Sequence, residues 1–204
     1  STMLTGQPVR WALGPSLSPD GQYVAYSYHG DIWVGPASGG LSVRLTTSPG
    51  FEGSPKWSPD GKWIAFVSDE SGTSELYIVP ADGSSPPRRI TFHPAYEYPL
   101  AFSRDSKSIY FSSQMYDFRG GVYRISIFGG NPQKVLDFEV NNVSFVDSFT
   151  ILIERGNEPW YRKGYRGPAA AELWLFDMRS GTFKRLTENN LRDCRPLYSK
   201  AYGK

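Results

Sequence analysis

Apolar residues in this chain come in short, nearly continuous runs, each bounded by turn-forming residues. Tyr23-Val24-Ala25-Tyr26-Ser27 and Trp63-Ile64-Ala65-Phe66-Val67 are two such runs. Both are rich in strand formers, and their lack of alternation predicts strands packed on both faces. The runs recur. Leu17-Ser18-Pro19-Asp20-Gly21 precedes the first and Trp57-Ser58-Pro59-Asp60-Gly61 the second, their serines 40 residues apart. Phe102-Ser103-Arg104-Asp105-Ser106 is a degraded third copy, 45 residues further on. In Ser-Pro-Asp-Gly the proline sets φ at the first corner, the aspartate can bond local backbone, and the glycine accepts positive φ.

A second register of the same period lies further along each unit. Asp31-Ile32-Trp33-Val34 aligns with Glu75-Leu76-Tyr77-Ile78, Gly121-Val122-Tyr123-Arg124 and Glu172-Leu173-Trp174-Leu175. A glycine turn follows each one. The units close on Arg44-Leu45-Thr46, Arg89-Ile90-Thr91, Lys134-Val135-Leu136 and Arg185-Leu186-Thr187. Such periodicity, with several short strands per unit, predicts an all-β propeller of four-stranded antiparallel blades. The expected organisation is an extended lead-in over 1–14, blades at 15–47, 54–92, 98–136 and 141–187, and the start of a fifth at 195–204. Four complete units and a fifth begun read as part of a larger six- or seven-bladed ring. An open arc would leave sheet edges available for self-association.

Turns have decayed unevenly. Arg104 and Ser106 stand where proline and glycine are expected, and Val146-Asp147-Ser148 is worn further, which places the local geometry of these turns in question.

Composition narrows the functional classes. The 204 residues include 21 glycines and 16 prolines, with 15% aromatic residues, in keeping with short strands and tight corners. A net charge of +2 without a recurring basic face argues against nucleic acid as a partner. No apolar run is long enough for a membrane span. One cysteine, Cys194, excludes an internal disulfide framework and leaves the compartment open. Two histidines and that cysteine show no metal-ligand spacing, and no cofactor is expected. His29 and His93 lack a motif-level serine or aspartate partner and read as loop residues, so no catalytic residue is assigned. Asp69-Glu70-Ser71-Gly72 reads as a hairpin turn in preference to a cation site.

The strongest binding candidate is basic. Arg162, Lys163 and Arg166 lie among Trp160, Tyr161 and Tyr165, and Arg119 falls in the corresponding hairpin of the third unit. Guanidinium groups beside aromatic rings suit carboxylates, peptide termini or an acidic partner surface. The competing reading is a solvated loop whose rings fold back onto a blade.

The Ser-Pro-Asp-Gly-Lys-x-Ile-Ala-Phe pattern resembles the WD40-like β-propeller repeat of TolB-like proteins and tricorn-type proteases. Val9-Arg10-Trp11, the hairpin His29-Gly30-Asp31-Ile32-Trp33-Val34 and the stretch Trp160 to Gly167 are similar to tricorn-like peptidases in particular. The resemblance implies a non-catalytic propeller region that binds or filters peptides. It also implies further blades, a PDZ domain and a peptidase domain as partners elsewhere in a longer protein. The compartment it implies is periplasmic or secreted for a bacterial protein and cytoplasmic for an archaeal one. Two alternatives stay open: a TolB-like interaction module of the cell envelope without peptidase activity, and the propeller of a prolyl-oligopeptidase-like enzyme.

Overall fold

The computed structural model describes residues 11–116, 120–155 and 172–187. Among them every regular element is a β-strand, and no helix is long and apolar enough to cross a membrane. The strands are β1 (Leu13–Leu17), β2 (Tyr23–Tyr28), β3 (Asp31–Pro36), β4 (Val43–Arg44), β5 (Glu52–Trp57), β6 (Trp63–Ser68), β7 (Glu75–Pro80) and β8 (Arg88–Arg89). They continue with β9 (Glu97–Phe102), β10 (Ser108–Ser113), β11 (Gly121–Ser126), β12 (Gln133–Leu136), β13 (Asn142–Phe145), β14 (Thr150–Arg155), β15 (Glu172–Asp177) and β16 (Thr182–Arg185).

Every sheet is a four-stranded antiparallel meander in sequence order: β1 to β4, β5 to β8, β9 to β12 and β13 to β16. These are the blades of a β-propeller.

The continuous apolar runs are explained by two-sided packing. Along β6, Ile64 and Phe66 enter the layer shared with Ala25 and Ile32 of the first sheet. Ala65 and Val67, of opposite orientation, enter the layer shared with Ile109, Phe111 and Tyr123 of the third. Strand β10 repeats the arrangement: Tyr110 turns instead to the third layer, with Ile151, Ile153 and Phe176 of the fourth sheet. Four sheets thus enclose three apolar layers. Among the described residues no such layer joins the fourth sheet to the first.

The repeated turn is held by one set of bonds. Ser58 Oγ donates to Asp60 Oδ1 at 2.5 Å and accepts from the Trp63 N–H at 2.9 Å, while the Lys62 N–H reaches Asp60 Oδ1 at 3.1 Å. Ser18, Asp20 and Tyr23 repeat it. So does the degraded third copy, in which Ser103 Oγ donates to Asp105 Oδ1 at 2.6 Å and the Lys107 N–H reaches the same oxygen at 3.1 Å. Ser106 holds the glycine conformation at φ 60°. Its hydroxyl accepts from the Asp60 N–H at 3.0 Å, which ties this turn to that of the preceding blade. The serine and aspartate therefore carry the turn, and loss of proline and glycine leaves its geometry intact. Asp105→Ala is accordingly expected to cost as much as Asp60→Ala, about 1 kcal/mol each in urea denaturation. A neutral Asp105→Ala would show that the third turn is slack.

Candidate functional site

Strands β1, β5, β9 and β13 open their blades and pair on one side only, with β2, β6, β10 and β14. Together they surround a hollow of about 950 Å³. Consecutive residues of one strand line it, such as Leu100, Ala101 and Phe102, or Asn142 through Phe145. Strand edges therefore face the hollow, offering backbone groups and not a single side-chain face. Two cations are present in the lining, Lys56 and Arg104. Arg104 Nη2 donates to the Phe145 carbonyl at 3.1 Å, bridging the third and fourth blades. Bulges shape the inner strands: pairing shifts between Leu13 and Ser16 in β1 and between Gly53 and Lys56 in β5. At the first, Gly14 has φ 57°, a conformation that residues with a side chain rarely adopt, and it packs against Ser54 of the second blade.

A buried polar network occupies the starts of β5 and β9, and it gives the Arg-x-Thr repeat its meaning. In the first blade Thr46 Oγ1 accepts from the Ile32 N–H at 2.8 Å and donates to Glu52 Oε2. Arg44 bonds the Thr46 carbonyl at 2.9 Å and pairs with Asp31 at 2.7 Å. The second blade repeats every part: Leu76 N–H to Thr91, Thr91 to Glu97, and Arg89 to both the Thr91 carbonyl and Glu75. In the fourth, Arg185 pairs with Glu172 and bonds the Thr187 carbonyl, and Thr187 accepts from the Leu173 N–H, which repeats the cluster without the threonine-to-glutamate bond among the described residues. Among the described residues the third blade lacks it. Gly121 stands at the carboxylate position, where a Cβ would fall 2.7 Å from the Leu136 carbonyl. Burial pushes the carboxyls of Glu52 and Glu97 up to about 7, against the hydrogen bonds from Thr46 and Thr91.

Residues 13–202 match the family described as the tricorn protease N-terminal beta propeller domain. The chain belongs to this family. Tricorn protease homolog 1 of Streptomyces coelicolor is 27% identical over 172 residues, which cover 82% of this chain and 16% of that protein. The chain thus spans about a sixth of that relative's length. The putative tricorn-like protease N-terminal subunit of Sulfurisphaera tokodaii is 27% identical over 186 residues, covering 86% of this chain and 93% of that protein. Among solved structures, the tricorn protease superposes with a TM-score of 0.71 at 20% identity, over 89% of this chain and 18% of that one. TolB from Acinetobacter baumannii gives 0.64 at 20% identity, over 87% of this chain and 43% of its own. At these identities the structural matches show the fold alone.

Within this tricorn-type propeller the four basic candidates, Arg119, Arg162, Lys163 and Arg166, lie outside the described residues, as does the expected partial blade at 195–204. His29 sits exposed in the β2–β3 hairpin at φ 52°, its ring edge-on to Tyr28 at 4.2 Å. His93 is half-buried against Tyr116, with ring centroids 5.6 Å apart. Among the described residues neither imidazole bonds a serine or a carboxylate. Asp69 serves its turn, accepting from the Phe51 N–H at 2.6 Å and, through its carbonyl, from the Gly72 N–H at 2.8 Å. Sequence reasoning missed Lys56 and Arg104 as lining residues of one hollow. The signal was available in register, since each stands close to its blade's turn, two residues before Ser58 and one after Ser103.

Proposed function

We propose that this propeller region binds peptides in the hollow between its inner strands and guides them to a tricorn-like serine peptidase domain in a longer protein. The observation that carries the reading is the hollow itself: edge strands from all four blades, with Lys56 and Arg104 in its wall. An extended peptide can pair its backbone with such an edge, while a cation attracts its terminal or side-chain carboxylate. Family membership supports the link to proteolysis. Recognition by a rigid scaffold and bond cleavage elsewhere is the division of labour that this geometry suits.

A fluorescent peptide ending in a free carboxylate, titrated into the 204-residue chain, tests this. Lys56→Glu is expected to weaken binding by about tenfold, because a repulsive charge replaces an attractive one across a half-buried wall. Unchanged affinity in Lys56→Glu, or no binding by the parent chain, would refute the reading.

A further inference from the structure

Beside the central hollow, the first and second blades are separated by a cleft of about 580 Å³. Its apolar wall includes Tyr23, Leu41 and Val43 of the first blade and Trp57 of the second. Three of these are open to solvent, Tyr23 at 47%, Val43 at 64% and Leu41 at 76%. The Trp57 indole N–H is buried and has no acceptor among the described residues.

The next pair of blades closes the equivalent place. Val43 pairs with Val34 as Arg88 pairs with Ile78, so the two hold equivalent places. Arg88 crosses to the third blade and donates to the Ile127 carbonyl. Tyr23 and Trp63 are likewise equivalent, opposite Pro36 and Pro80. Trp63 packs into the layer between the second and third blades. Where the second and third blades are laced together, the first and second are open.

Three exposed aspartates, Asp20, Asp60 and Asp82, belong to the same lining. Hydrogen bonds from Ser18 and the Gln22 N–H hold the Asp20 carboxyl below its ordinary range, and Ser84 does so for Asp82. At Asp60 burial acts against ionisation, yet the Ser58 hydroxyl, the Lys62 N–H and the Lys62 charge together bring the carboxyl down. Lys62 is the one cation among these influences. An apolar cleft edged by three carboxylates selects a ligand that is apolar and positively charged together.

We propose that the cleft between the first two blades is a second binding site, which takes a polypeptide segment presenting a large apolar side chain next to a lysine or arginine. The apolar side chain lies against Tyr23, Val43 and Trp57, and the cation meets Asp20, Asp60 and Asp82. The cleft adjoins the central hollow and shares Pro19, Trp57 and Pro59 with it, whereas Tyr23, Val43 and Asp82 line the cleft and not the hollow, so variants at Val43 and Asp82 separate binding here from binding there.

The test is a titration of the ¹⁵N-labelled 204-residue chain, following the Trp57 indole N–H signal assigned with Trp57→Phe. Acetyl-Phe-Lys-amide is expected to move that signal saturably, and acetyl-Phe-Glu-amide to bind about tenfold more weakly. Val43→Arg, which installs the side chain of the closed second cleft, is expected to abolish the shift. Asp82→Asn, an exposed isosteric change, is expected to narrow the preference for lysine, and it decides the matter should Val43→Arg fail to fold. Equal binding of the two peptides, or an immobile Trp57 signal, would overturn the proposal. So would phenethylamine binding as tightly as the lysine peptide, which would make the site one for small amines.

Discussion

Replacing Phe66 with alanine is expected to remove about 3–5 kcal/mol of stability, the range for emptying a large aromatic site in a close-packed core. Phe66 is fully buried, in the layer between the first two blades with Ile64, Val79, Ala25 and Ile32. Its ring also stacks on Tyr77, centroids 5.8 Å apart. The neighbours that could collapse into the void sit on strands β2, β3 and β7, each fixed by ladder bonds on both sides, so little relaxation is available. A domain of this size has about 5–15 kcal/mol in total, so the variant would be marginal at 25 °C. Leu41→Ala is the matching control: this leucine is 76% exposed, and its loss is expected to stay within about 0.5 kcal/mol. Urea denaturation followed by tryptophan fluorescence measures both. A cost below about 1 kcal/mol for Phe66→Ala would mean that the blades can slide together to fill the gap.

The blade plan was readable from the residues because a propeller repeats its solution. The Ser-x-Asp turn occurs in three units and the aromatic strand and closing strand in four, and strands packed on both faces leave the continuous apolar signature seen at Trp63 to Val67. The fate of the third turn was not readable. Its loss of proline and glycine is visible, but the Asp60 N–H to Ser106 Oγ bond that helps hold it comes from another blade. The carboxylate clusters were half readable. Arg89-Ile90-Thr91 stood out as a motif, yet nothing local shows that Thr91 bridges the Leu76 amide to Glu97, six residues on in the next blade. The hollow was least legible, because Lys56 and Arg104 are separated by a full blade in sequence, and their places beside the repeated turn do not show that both line one cavity. A cluster of charges in sequence is easily seen, whereas charges gathered by a ring are not.

Stability is expected to fall as pH rises from 5 to 8, by about 1–3 kcal/mol for each of two groups. Glu52 and Glu97 are buried at the starts of β5 and β9, and burial raises both carboxyls from 4.5 to about 7. Asp31 and Glu70 add repulsion at Glu52, as Glu75 does at Glu97, where Arg89 opposes it. Each group therefore binds its proton more tightly folded than unfolded. The stabilisation is complete below pH 4.5, declines above it, and is gone once pH passes about 7. The lower part of the range figures because Arg89 and solvent screen part of the effect. The turn aspartates have the opposite sign. Asp60 and Asp105 titrate below their ordinary value, so their contribution disappears only under acid conditions, below about pH 4. The two effects thus occupy separate windows, and the slope between pH 5 and 8 belongs to the glutamates. Urea midpoints taken across that window should decline for the parent chain and stay level in Glu52→Gln/Glu97→Gln, whose amides keep an acceptor for Thr46 and Thr91 but carry no charge. Thr91→Val discriminates further. It removes a hydroxyl that favours the ionised form of Glu97 and should steepen the decline, whereas a flat curve in the parent would mean that both carboxylates stay ionised in the core at neutral pH.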